Sequence, residues 1–164
     1  MGATSHVPAG MGYHLEDFEV GQVFETGERT ITAEDVAQFA ELTGDHNPLH
    51  TDADFAATTV YGEPIAHGLL GLSVLVGLFE DEGVFHGTAL AFLGIEQWRF
   101  NAPIYFGDRL RARMTIEAIR RSRSDPGRGI VTRRYELLDQ RGTVVQDGVT
   151  TVMVKARDTQ DHGG

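Results

Sequence analysis

The sequence predicts an α+β domain in which an antiparallel sheet wraps around one long apolar helix. Two observations carry this expectation. The run Gly68 to Phe79 places Leu69, Leu70, Leu72, Val74, Leu75, Val76, Leu78 and Phe79 on nearly every face of a helix, so it should be buried on most sides. From Ala89 to Lys155 the chain is rich in β-branched and aromatic residues with partial alternation, broken by Gly, Pro and Asp turns, which reads as sheet. With 164 residues there is enough chain for one sizeable core and too little for two.

Val23 to Ile31 reads as a short strand. At Thr32-Ala33-Glu34-Asp35 a helix begins: Thr32 can cap, Asp35 stands three residues on, and early acids favour the positive helix end. Val36, Phe39, Ala40 and Leu42-Thr43 follow at helical spacing, and Gly44 stops the helix. Asp45 to Pro64 is irregular, with a short helix predicted over Asp52 to Ala57. The central helix comes next, then strands over Ala89 to Phe100, Asp108 to Ile119, Ile130 to Leu138 and Thr143 to Lys155. Turns fall at Pro103, Gly107-Asp108, Asp125-Pro126-Gly127 and Gln140-Arg141-Gly142. Residues 1–12 read as a flexible N-terminal arm and 157–164 as a disordered tail, leaving 13–156 as a single domain.

Composition excludes several function classes. A formal net charge of −10 argues against a nucleic-acid binder, which needs a basic face. Arginine is concentrated between Arg109 and Arg134. Most of these residues read as a solvated strand face, with a minority suited to the phosphates of an anionic cofactor such as coenzyme A. Absence of cysteine rules out disulfides and thiolate metal sites. No apolar run is long enough to cross a bilayer, and Met1 to His6 lack the marks of a secretion signal, so a cytoplasmic address is expected.

The chemistry is concentrated in Phe39-Ala40-Glu41-Leu42-Thr43-Gly44-Asp45-His46-Asn47-Pro48-Leu49-His50. Asp45 leaves the end of a helix, and His50 lies five residues on. Between them Pro48 fixes its own backbone angle and biases Asn47 towards an extended shape. A carboxylate and an imidazole held close can share one water, one taking its proton while the other serves the departing or arriving group. A lone acid and histidine at this spacing better describe a turn cap and a satisfied core histidine.

The company of the pair settles the choice, because the sequence resembles the MaoC-like, or (R)-specific enoyl-CoA hydratase, family. That family's hydratase motif runs from an aromatic, through an aliphatic and a small residue, to G-D-x-N-P-[LIV]-H and a small residue six beyond. Phe39, Leu42, Thr43, Gly44, Asp45, Asn47, Pro48, Leu49, His50 and Ala56 meet every position. A second mark, at the opening of the central helix, appears as Ile65-Ala66-His67-Gly68. A third appears as Phe100-Asn101-Ala102-Pro103-Ile104-Tyr105-Phe106-Gly107-Asp108. The three stand in order between Phe39 and Asp108, within a resemblance that covers roughly residues 17 to 155.

The resemblance implies a hot-dog fold and reversible addition of water to the 2,3 double bond of an enoyl thioester, with an R-configured 3-hydroxyacyl product. Asp45 and His50 match the acid–base pair, and Gly68 matches the glycine whose backbone N–H binds the thioester carbonyl. Asn47 and Pro48 are assigned to support, as is His67, whose expected job is a structural hydrogen bond. Asp52 is expected to cap its helix, Trp98 to pack on the sheet or an interface, and His14, His86 and His162 to be surface residues without a useful acidic neighbour. No metal and no cofactor is expected. The implied partners are an acyl-CoA or acyl-carrier-protein substrate and a second copy of the chain, as a homodimer or a dimer of dimers, with no nucleic acid and no membrane. An acyl tunnel shaped by Leu70, Val74, Phe92 and Phe100 is expected beside the central helix. Alternatives are a β-hydroxyacyl carrier-protein dehydratase, a hot-dog thioesterase that would lack this intact motif, and a silent subunit of a heteromer that would lack the Asp/His pair.

Overall fold

The computed structural model describes residues 12–157, so the expectations for most of the N-terminal arm and the tail lie outside the described residues. Gly12 and Arg157, at the two limits, are tied to the domain: Gly12 N–H donates to the His86 carbonyl, and Arg157 N–H to Glu16. After a 3-10 turn at Leu15–Asp17 come β1 (Val23–Glu25), β2 (Arg29–Thr30), α1 (Ala33–Thr43), α2 (Pro48–Thr51), α3 (Ala53–Ala57) and α4 (Gly68–Asp81). Four long strands follow: β3 (Ala89–Phe100), β4 (Arg109–Arg121), β5 (Arg128–Leu138) and β6 (Val144–Lys155).

The sheet runs β1-β4-β5-β6-β3, antiparallel throughout, with β2 also on β4. Strict alternation on β4 and β5 sends Leu110, Ala112, Met114, Ile116, Val131, Tyr135 and Leu137 inward, all essentially inaccessible. They meet Leu70, Val74, Leu75, Leu78 and Phe79 from α4. Each such side chain taken from water contributes roughly 1.5–3 kcal/mol, which makes this layer the main stabilising term. A cluster of Tyr13, Phe18, Phe24 and Phe85, with ring centroids 5.3–6.2 Å apart, closes one end of the core.

Several expectations need correction. The strand expected over Val23 to Ile31 is broken, because three residues (26–28) stand opposite two of β4. Thr26 repairs the ladder with its own side chain, accepting from Ala112 N–H at 2.9 Å. The loop before Asp52 contains a helical turn, α2, started by Pro48 at its first position. Leu42 is 83% exposed, since the buried face of α1 is carried by Val36 and Ala40. Nor is α4 buried on most sides within one chain: Leu69, Ser73, Val76 and Gly77 form an uncovered stripe. Strand β3, at the sheet edge, is similarly open, with Leu90, Phe92, Leu93, Ile95 and Phe100 all about half exposed.

The arginine-rich face is mostly paired. Arg109, Arg113, Arg121, Arg128 and Arg134 each reach a carboxylate. Arg133 departs from the solvated face entirely. Its guanidinium is buried among the rings of Phe85, Tyr135 and Phe92, at 4.7, 5.1 and 5.6 Å, without a carboxylate partner among the described residues. Burial pulls the Arg133 pKa below its ordinary value and pushes the Tyr135 hydroxyl up to about 12.

At the start of α1 the expected capping box is formed. Thr32 Oγ1 accepts from Asp35 N–H at 3.1 Å, and the Asp35 carboxylate accepts from Thr32 N–H at 2.8 Å. Thr32→Ala removes half of it and is expected to lower unfolding free energy by about 1 kcal/mol. In urea titration the midpoint should fall with the slope unchanged; an unmoved midpoint would show that the cap contributes nothing.

Candidate active site

Gly44 ends α1 at φ 78°, a left-handed conformation that swings the chain out of the helix and delivers Asp45 into a tight loop. Asn47 N–H donates to Asp45 Oδ1 at 3.3 Å, which orients the carboxylate. The Asn47 side chain caps α2, its Oδ1 accepting from Leu49 N–H at 3.0 Å. With Pro48 at the first helical position, the acid, the turn and His50 form one stiff unit. Asp52 caps α3, its Oδ1 accepting from Phe55 N–H at 3.0 Å.

The two motif histidines come together although 17 residues separate them. Their rings stack with centroids 3.9 Å apart and planes 29° from parallel. His50 Nδ1 lies 2.7 Å from the Ile65 carbonyl, and His67 Nε2 lies 2.9 Å from the Asp45 carbonyl. A carbonyl can only accept, so both ring atoms must donate. Neutral His50 is therefore the Nδ1–H tautomer, with its lone pair on Nε2, while neutral His67 carries its proton on Nε2. The remaining His67 Nδ1 is buried without a hydrogen-bond partner. A carboxylate oxygen of Asp45 and a ring nitrogen of each histidine lie within 4.8 Å of one another. Sequence spacing suggested no such three-residue group, and its atoms have the separation of metal ligands.

Gly68 opens α4, where the Gly68 and Leu69 N–H groups precede the first intrahelical bonds and the helix dipole is positive. A Cβ at Gly68 would stand 2.7 Å from Phe100 Cε1, so only glycine lets that ring lie against the turn. A cavity of about 620 Å³ spreads from this point, lined by His50, Tyr61, Gly68, Leu69, Phe100 and Gln146. Residues 101–104, the first half of the loop 101–108, also line it. That loop is pinned by an Ile65–Tyr105 bridge, by Ala66 N–H donating to the Ile104 carbonyl, and by buried Asp108, which accepts from Tyr105 N–H and from Gln140. All three sequence marks thus converge on one place.

Other candidates fall elsewhere. Leu70 and Val74 are core residues rather than cavity lining, and Phe92 lies against Arg133. None of the arginines from Arg109 to Arg134 lines the cavity. His86 does have an acidic neighbour, Glu80 at 2.5 Å, because the turn after α4 folds back on the end of the helix. His14 is the cap residue of the 3-10 turn, and His162 lies outside the described residues. Sequence reasoning missed Tyr61 and Gln146 as lining residues; neither has a spacing signal, because the fold alone brings them to Gly68.

Comparison with known proteins agrees with the geometry. Residues 17–136 match the family model described as MaoC like domain. An (R)-specific enoyl-CoA hydratase of Aeromonas caviae is 34% identical over 137 residues, covering 84% of this chain and 96% of that protein. Protein MaoC of Klebsiella aerogenes is 36% identical over 104 residues, and the match spans only 30% of its length. A solved Mycobacterium tuberculosis protein with a double hot-dog fold aligns at TM-score 0.82 and 24% identity, over 93% of this chain and 47% of that one, which establishes the fold.

The hydrogen bonds predict the tautomers. Long-range ¹H–¹⁵N spectra of the neutral protein should show His50 protonated at Nδ1 and His67 at Nε2. The reverse pattern for either ring would overturn the arrangement.

Proposed function

The chain belongs to the MaoC-like dehydratase family, and from that premise we propose that it is a hydro-lyase catalysing reversible addition of water to the 2,3 double bond of an enoyl-CoA. The observation that carries the reading is the Asp45 carboxylate within 4.8 Å of the His50 ring, beside the first turn of α4 and a cavity large enough for an acyl group. In the hydration direction, a water held between Asp45 and His50 Nε2 attacks C3. The Asp45/His50 pair takes one proton from that water as its OH bonds to C3, and returns the same proton to C2, so that H and OH both come from one water and the pair ends as it began. Charge that develops on the thioester oxygen meets the Gly68 N–H and the positive end of α4. Asn47 and Pro48 hold the acid in place, and His67 fixes the loop from behind.

The uncovered β3 edge and α4 stripe support a second copy of the chain as partner, giving at least a homodimer. An unpaired strand edge with half-exposed Phe92, Leu93 and Ile95 calls for cover. The double hot-dog relative, of which this chain matches half, carries two such units in one polypeptide.

Purified protein should remove the enoyl-thioester absorbance of crotonyl-CoA. Asp45→Asn and His50→Ala should each lower kcat/KM by about 10²- to 10⁴-fold with folding intact. Equal turnover by wild type and both variants would sink the assignment of the pair, and turnover only of the carrier-protein thioester would move the substrate from coenzyme A to that carrier. Sedimentation should return at least twice the 18.0 kDa chain mass, and Ile95→Asp should reduce it towards the single chain. A wild-type protein that sediments as a monomer would remove the dimer.

A further inference from the structure

Opposite the acid–base pair, the first turn of α4 is held by a buried amide. Gln146, 1% exposed, donates from Nε2 to the Gly68 carbonyl at 2.9 Å, and its Oε1 accepts from Trp98 Nε1 at 3.2 Å. Several local sacrifices in the chain make this contact possible. Between Glu96 and Arg99 the β3–β6 register slips by one residue, and Gln97 adopts φ 52°, the single non-glycine residue with positive φ among the described residues. That bulge turns the Trp98 indole onto β6. Gly148 leaves room for it, since a Cβ there would stand 2.5 Å from Trp98 Cε3. Gly71 leaves room for the amide in the same way, a Cβ there falling 2.3 Å from Gln146 Nε2.

The geometry points to Trp98 and Gln146 as a positioning relay for the carbonyl-binding turn, an inference that rests on the hydratase reading above. Gly68, the first residue of α4, lacks the Cβ that would narrow its backbone angles, and its turn must present N–H groups in a fixed direction to a developing oxyanion. The peptide unit that carries the Gly68 N–H meets, at the Gly68 Cα, the unit that holds the Gly68 carbonyl and the Leu69 N–H. A donor on the carbonyl fixes the plane of that unit and polarises its N–H, while Trp98 holds the donor amide in the correct flip. Phe100 presses on the same residue from the cavity side, so the turn is clamped between a ring and an amide. Gln146 acts through the turn and leaves the proton transfers to Asp45 and His50.

Gln146→Met keeps the length and removes the donor; kcat should fall about 10- to 100-fold with KM within about threefold. Trp98→Phe should fall less, in the same direction. In Gln146→Glu a carboxylate opposes the Gly68 carbonyl, and its protonation restores a donor, so kcat relative to wild type should rise as pH falls. A readout without turnover accompanies these: in ¹⁵N-labelled protein, Gln146→Met should move the Gly68 and Leu69 amide resonances while distant amides stay in place. Folded Gln146→Met with wild-type kcat overturns the relay. So does a loss of kcat with unmoved Leu69 and a wild-type pH profile in Gln146→Glu, which would be loss of packing alone. If Gln146→Met does not fold, Trp98→Phe and Gln146→Glu decide by the same criteria. Wild type inactive on enoyl thioesters would sink the hydratase reading instead, and the amide shifts would still decide whether Gln146 orients the turn.

Discussion

Two crossed hydrogen bonds hold the site together: the His50 ring on the Ile65 carbonyl and the His67 ring on the Asp45 carbonyl. Each histidine bonds to the segment that carries the other, and the rings stack where the bonds cross. The loop after α1 and the entry to α4 are thereby locked face to face. Each bond also removes one ring nitrogen from play. On His50 only Nε2 is left to act, and on His67 the remaining nitrogen is buried. A single pair of backbone acceptors thus sets tautomer, ring orientation and loop spacing at once.

The rest of the fold is arranged around that lock. Ile65 and Ala66 bond onward to Leu49, Tyr105 and Ile104, which makes them a strut between the acid–base loop and the loop 101–108. The sheet contributes through irregularity rather than regularity. Its bulge at Gln97 turns Trp98 towards Gln146, and Gly71 and Gly148 give up side chains so that the buried amide fits. At the α4 entry the Gly68 carbonyl and the Gln146 amide are paired, consistent with the high cost of leaving buried polar groups unpaired, while His67 Nδ1 stays without a partner. Arg133 shows the opposite case, a buried cation supported by aromatic faces and lowered in pKa by desolvation.

The elements were largely legible in the sequence. Thr32 and Asp35 marked the start of α1 and Gly44 its end, since capping chemistry is local, and the bounds of β3 follow from composition and flanking turns. The misreadings share one cause. Leu69 and Val76 read as buried because they are apolar, yet burial depends on what covers a face, and one chain does not cover these. Arg133 was counted as solvated because it is charged, yet β5 alternation turns it inward.

What the sequence determined by itself was the chemistry in local reach: an acid and a histidine on a proline-stiffened turn, a glycine opening an apolar helix, and a motif order that identifies the family. Tertiary structure decided everything that acts across long separations. It stacked His67 on His50, aimed Nε2 of His50 at the site, moved Leu70 and Val74 into the core, and brought Gln146 to a carbonyl 78 residues earlier. The physical reason is that hydrogen bonds and ring contacts depend on side-chain direction to within a few tenths of an ångström, and spacing along a chain carries that information only within a turn or two of helix.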